Sequence, residues 1–238
     1  MATATDALRT TRAQASLRSR TRDVIAYREL LVNLVRKELK VRYKNSVLGF
    51  VWSLVNPAIT IAVYYVIFSL VFKNPIPAFV IFLMSGVLVW NMFQTALSSA
   101  VGSVVANAPL VKKVWFPREI LPLASIGAAM VDFFLQSIVL VAALAFFRWH
   151  VGWAYLPLIP LSLVVALLFT TALALWLAAV NVRYRDVQHF LGIALMVWFW
   201  GTPIIYSIRQ VSDRLARSHF GNLPYFNPFT SVSLAFQR

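Results

Sequence analysis

The sequence predicts an all-α integral membrane protein, and three observations carry that prediction. Of the 238 residues, 60% are apolar and 13% are charged, against about 25% charged in an ordinary soluble domain. A soluble core of this size has no room for that much apolar surface, whereas a bilayer solvates it. The apolar residues also form long charge-free runs: no Asp, Glu, Lys or Arg stands between Lys44 and Lys73, between Lys73 and Lys112, or between Arg148 and Arg183. The basic residues, finally, gather between those runs. Continuous runs in place of alternation exclude a β-barrel, and in hydrocarbon only helices then satisfy their own backbone groups.

The elements follow in order. Residues 1–22 read as a basic, flexible tail, too long and too evenly basic for a cleaved leader. Residues 23–46 read as an amphipathic helix: Tyr27, Leu31, Val35, Leu39 and Tyr43 recur every four residues, Leu30 and Leu34 widen the stripe, and Arg36, Lys40 and Lys44 form a basic row beside it. Such a helix suits a membrane interface, apolar side to acyl chains and basic side to anionic head groups. Packing on the protein's own spans accounts for the same stripe. The transmembrane domain takes up 47–238, with spans expected at about 47–72, 78–104, 120–147, 155–180 and 189–208, each near the twenty residues that cross hydrocarbon. Pro57 sits early in the first span and is expected to bend its first turns.

Orientation comes from the charges. With the N-terminus inside, the inner segments hold sixteen Lys and Arg and the outer ones five. The positive-inside rule therefore places the N-terminus in the cytoplasm. The net charge of +14 is read as topology and not as a nucleic-acid surface.

Motifs for covalent chemistry are missing. There is no G-x-x-x-x-G-K-[ST] loop for ATP and no H-E-x-x-H pair for a metal, and with no cysteine there is no thiolate site. His150, His189 and His219 lie far apart, near expected membrane boundaries. Asp132 is the one charge inside a span. It reads either as a polar point on a translocation path or as a satisfied helix–helix contact, with Gln136 one turn away as a partner. The aromatic residues also allow two readings. One is an interfacial belt. The other is a lining for a sugar path, with Trp52, Tyr64, Tyr65, Trp90, Phe93, Phe133, Trp198 and Trp200 as candidates, because aromatic faces stack on pyranose rings. Segment 107–119 is the most telling. It keeps Leu110, Val111, Val114, Trp115 and Phe116 among Lys112, Lys113, Arg118 and Glu119, and large apolar groups in a short polar loop mark an interaction surface.

Three segments carry a family resemblance. They are Arg36-Lys-Glu-Leu-Lys-Val-Arg-Tyr-Lys-Asn-Ser-Val-Leu-Gly-Phe-Val-Trp-Ser-Leu-Val-Asn-Pro57, the loop core Lys112-Lys-Val-Trp-Phe-Pro-Arg-Glu119, and Asn227-Pro-Phe-Thr. From about Arg22 onward the chain resembles the membrane subunit of ABC-2 type exporters, nearest to the branch that exports polysaccharides and polyol phosphates, such as Wzm-like O-antigen and teichoic acid permeases. The resemblance implies a multi-pass protein of the bacterial cytoplasmic membrane that pairs with a second copy of itself and with a separate P-loop ATPase. ATP and Mg belong to that partner, and this chain carries no cofactor and is not an enzyme. It implies that Leu110, Lys112, Lys113, Trp115, Phe116, Pro117, Arg118 and Glu119 dock on the ATPase, that 209–228 forms an outer gate, and that a lipid-linked glycan passes through a channel at the dimer interface. Members of the family have six spans. The sequence stops at Arg238, so five complete spans are expected and the sixth is missing from it, as in a fragment or a truncated form. A drug or lipid permease of the same family is the first alternative. A membrane-embedded transferase is disfavoured by eight acidic residues spread thinly along the chain. A scaffold without transport is the third.

Overall fold

The computed structural model describes residues 23–44, 51–67, 79–146, 157–205 and 227–237. The expected tail at 1–22, the last residues of the interface segment, the ends of the first and fifth expected spans and most of the 209–228 gate lie outside the described residues. Every regular element among the described residues is helical: α1 (Arg28–Tyr43), α2 (Trp52–Tyr65), α3 (Phe79–Ala106), α4 (Ala108–Lys113), α5 (Ile120–Phe146), α6 (Leu158–Arg183), α7 (Val187–Trp200) and α8 (Pro228–Gln237).

Three of these, α3, α5 and α6, are long and apolar enough to cross a membrane. At 28, 27 and 26 residues they exceed the roughly twenty that hydrocarbon requires. The other two apolar helices, α2 and α7, have 14 residues each. Pro57 sits inside α2, where it leaves one backbone carbonyl of the first turn without its usual partner.

α3 is the centre of the bundle, packed against α2, α5, α6, α7 and α8. Its core residues run the whole helix, from Phe79 and Leu83 through Trp90, Phe93 and Leu97 to Val101. Hydrocarbon tails are as apolar as leucine, so helices in lipid associate by close fit and not by escape from water. The buried residues follow that logic. Ala96 and Ala100 of α3 and Ala124, Ala128 and Ala129 of α5 are all buried, and α3 and α5 form the most extensive helix pair. The buried residues of α6 are Ser162, Ala166, Thr170, Ala174, Ala178 and Asn181, a stripe of small side chains at four-residue spacing closed by an asparagine. Asn181 donates from Nδ2 to the Val101 carbonyl at 2.9 Å and so pins α6 to α3.

α1 packs along the first half of α5. Its crossing point is Gly127, where a side-chain carbon would lie 2.9 Å from Val35 Cγ2. The amphipathic stripe of α1 thus packs on the protein's own helices: Leu34 is buried, and Tyr27, Leu30, Leu31 and Val35 pack around it. α8 closes the other side. Asn227 caps it, accepting from the Phe229 backbone N–H at 3.0 Å, with Pro228 as the first helical residue, where the lack of an N–H is harmless. Asn227 Oδ1 also accepts from Trp198 Nε1 at 2.9 Å, and its Nδ2 donates to Thr202 Oγ1 at 2.9 Å. One asparagine therefore ties the end of α7 to the start of α8.

Candidate functional site

Chemistry-bearing residues meet at two places. The first is the end of the bundle that carries 107–119. α4 opens with Pro109 in its first turn and ends with Lys112 and Lys113, the charge sign that a helix C-terminus favours. The backbone then extends through Val114, and α5 restarts with Ile120 N–H on the Pro117 carbonyl at 3.2 Å. α1 holds this loop at three points. Lys37 Nζ donates to Asn107 Oδ1 at 2.6 Å. Tyr27 meets the Trp115 ring edge-on, with centroids 6.3 Å apart. Phe116 is buried with Leu34, Ile120, Leu121 and Ala124, and Leu110 packs on that cluster. The two neighbouring aromatics thus part company: Phe116 is 6% exposed and Trp115 is 65% exposed. Lys112, Lys113, Val114 and Arg118 also face outward, while Pro117 and Glu119 are half-buried. Arg36 and Lys40 of α1, and Lys44 just after it, are exposed.

The second place is deeper in the bundle. Asp132 stands twelve residues into α5, about 18 Å from Ile120 at 1.5 Å per residue, and it is buried. Its carboxylate pairs with the Arg42 guanidinium, which reaches across from the end of α1. Gln136, one turn further along α5, lines a cleft of about 140 Å³ between α2, α3 and α5. Asn56, Thr60 and Tyr64 of α2 line it at one-turn intervals, together with Asn91 of α3. Asn56, Thr60 and Asn91 escaped the sequence reading. Their signal was available: Asn56, Thr60 and Tyr64 form an i, i+4, i+8 polar row inside a charge-free run, and helix periodicity puts such a row on one face.

The remaining path candidates separate. Trp90 and Phe93 are buried in an aromatic core with Phe169, Trp198, Phe199 and Phe229, where ring centroids stand 4.4 to 6.1 Å apart. Phe133 is buried as well. Within the chain, Trp90, Phe93 and Phe133 present no open face on which a sugar ring could stack. For Trp90 and Phe93 the physical reason is the central position of α3; Phe133 of α5 packs into the same core. Trp52 and Trp200 lie exposed on the outside, and the Tyr65 side chain is outside the described residues. Among the described residues, no group of three or more His, Cys, Asp or Glu side chains is placed to hold a metal ion.

Comparison with known proteins agrees with this architecture. Residues 29–236 match the family model of the ABC-2 type transporter membrane domain. A Myxococcus xanthus protein named O-antigen export system permease protein RfbA is 36% identical over 217 residues, which cover 91% of this chain and 82% of the relative. A Klebsiella pneumoniae protein of the same name is 31% identical over 209 residues, 88% of this chain and 79% of the relative. An α-helical bundle with three membrane-crossing candidates, matched along nearly its whole length, leads to one assignment: the chain belongs to the ABC-2 type transporter family, as a membrane permease.

Proposed function

We propose that this chain is the membrane subunit of an ATP-driven exporter that moves a lipid-linked polysaccharide across the bacterial cytoplasmic membrane. The observation that carries this reading is its likeness, over most of both chains, to permeases named for O-antigen export. The N-terminus and segment 107–119 face the cytoplasm in this reading, supported by the excess of basic residues in those segments. A separate P-loop ATPase supplies ATP hydrolysis and holds the Mg, and a second copy of this chain completes the channel. No covalent step occurs on the chain itself.

The ATPase docks on Trp115, Val114, Lys112, Lys113 and Arg118, the outward groups of the loop. Phe116 acts differently: buried under α1, it joins the loop to α5, so that a push on the loop moves the helix. The loop transmits work only if it binds the two ATPase states differently. The cargo path runs beside the α2–α3–α5 cleft, where hydrogen-bonding side chains face open space.

Deleting the gene tests the reading directly: surface glycan is expected to fall and intracellular glycan to accumulate, and a P-loop ATPase is expected to co-purify with the tagged chain. Unchanged surface glycan, or purification without an ATPase, would sink it. Trp115→Ala is expected to abolish ATPase co-purification while leaving membrane insertion intact.

A drug or lipid permease is the second reading. It is favoured by an apolar groove of about 810 Å³ along Leu123, Leu175 and Val182, with Arg118 and Glu119 among its lining residues. Normal glycan export in the deletion strain, with altered sensitivity to amphiphiles, would select it.

A further inference from the structure

The cleft between α2, α3 and α5 bears on which cargo is recognised. A carboxamide in hydrocarbon is costly when nothing replaces the water it gives up. Spanning helices keep such groups for contacts with one another or for a polar cavity. Asn56, Thr60, Asn91 and Gln136 come from three helices to one cleft. Among the described residues, their one side-chain hydrogen bond is Thr60 Oγ1 donating to the Asn56 carbonyl at 2.9 Å, a bond within α2. They do not tie the helices together. A water needs roughly 10–15 Å³ of such space, so about 140 Å³ holds on the order of ten waters, the scale of one sugar unit and not of a chain.

The lining also has a chemical character. Carboxamides both donate and accept, and so do sugar hydroxyls. A phosphate only accepts, and proteins hold it with Arg or Lys. Among the described residues, no charged side chain lines this cleft, in a chain whose net charge is +14. Arg42, which reaches Asp132 one turn along α5 from Gln136, is paired with that carboxylate.

We infer that the cleft is a subsite for a single uncharged sugar unit, held through its hydroxyls by Asn56, Asn91 and Gln136 with the Tyr64 ring beside it. The cargo read here is a neutral glycan segment and not a polyol-phosphate chain. This inference rests on the export reading above.

Photo-crosslinking in exporting cells tests it on the full chain with its ATPase. Benzoylphenylalanine replaces Thr60 in the cleft or, as a control, Phe190 on the exposed side of α7. Illumination is expected to give a carbohydrate adduct from position 60 at least tenfold above that from position 190, with no phosphate in its repeating unit. In parallel, Asn91→Leu combined with Gln136→Leu is expected to lower surface glycan about tenfold, as the loss of two modest net hydrogen bonds predicts, with membrane level and ATPase co-purification unchanged. Equal adducts at both positions, phosphate in every repeat, or undiminished export by the double variant each overturn the subsite. Should the double variant fail to insert, the crosslinking result decides. Surface glycan that survives gene deletion sinks the export reading itself. A strain whose export depends on the gene, but whose probe at position 60 captures no glycan, sinks the cleft alone.

Discussion

α3 and α6 are close to the same helix by length and composition, yet they bury opposite kinds of residue. In α3, 61% of the most apolar window is buried; in α6 the share is 22%. α3 encloses Leu83, Trp90, Phe93 and Leu97. α6 encloses serine, threonine, alanine and asparagine and turns Leu161, Val165, Leu168 and Trp176 outward. A water-soluble helix would do the reverse, because water drives large apolar groups inward. In lipid that drive is absent, and small side chains let backbones approach closely. α3 is the exception because α2, α5, α6, α7 and α8 all pack against it, so most of its large residues are enclosed. Size at an inward position therefore reports how many neighbours a helix has, not how apolar it is.

The largest break of this contrast is expected in α3. Phe93 is fully buried and touches the rings of Trp90, Phe169, Trp198 and Phe229. Phe93→Ala is expected to cost about 3–5 kcal/mol, the range for a core phenylalanine whose cavity does not collapse. Unfolding measured in bilayer discs would show it. A loss below about 1 kcal/mol would mean that the ring cluster is loosely packed.

The next effect probes α6 from the opposite direction. Ala174 is wholly buried in the small-residue stripe that packs on α3. Ala174→Leu is expected to destabilise by about 1–3 kcal/mol by overpacking, although leucine is the more lipophilic residue. A rise in stability would show that membrane solvation and not fit governs this interface.

A smaller effect tests what holds α8 against the same core. Asn227→Ala removes the cap of α8 and the acceptor of the Trp198 N–H together. The cap alone is worth about 1 kcal/mol. Asn227→Asp keeps the acceptor oxygens but not the donor to Thr202, so it is expected to recover part of the loss. Thermal unfolding of the two variants side by side checks both statements.

The sequence made some of this legible and hid the rest for identifiable reasons. The all-helical membrane class followed from the spacing of charges, a property of the chain that needs no contacts. Asp132 stood out as a lone charge in a span, but Arg42 lies ninety residues away, and no local pattern points to it. Trp115 and Phe116 read as one docking pair. Successive side chains of extended backbone point to opposite sides, and the loop buries one while exposing the other. Trp90 and Phe93 stayed open between an interfacial belt and a path lining, because hydropathy treats a core aromatic and a channel aromatic alike. The four-residue period of Ser162, Ala166, Thr170, Ala174 and Ala178 was visible all along. It marks the inward face of α6 better than any count of apolar residues.

The smallest expected effect is also the most informative about that face. Leu168 lies on the outer side of α6 and is 67% exposed. If lipid covers it, Leu168→Ala removes contacts that acyl chains immediately replace, and the change in unfolding free energy stays within about 0.5 kcal/mol. Leu168→Asn then separates solvents: in lipid the carboxamide finds no partner and stability falls, whereas in detergent micelles, with water closer, the loss shrinks. A leucine-to-alanine cost of 2 kcal/mol or more would mean that this face packs against protein in the working complex. The inside-out pattern of α6 would then be a second interface, and size at its outward positions would carry the same meaning as in α3.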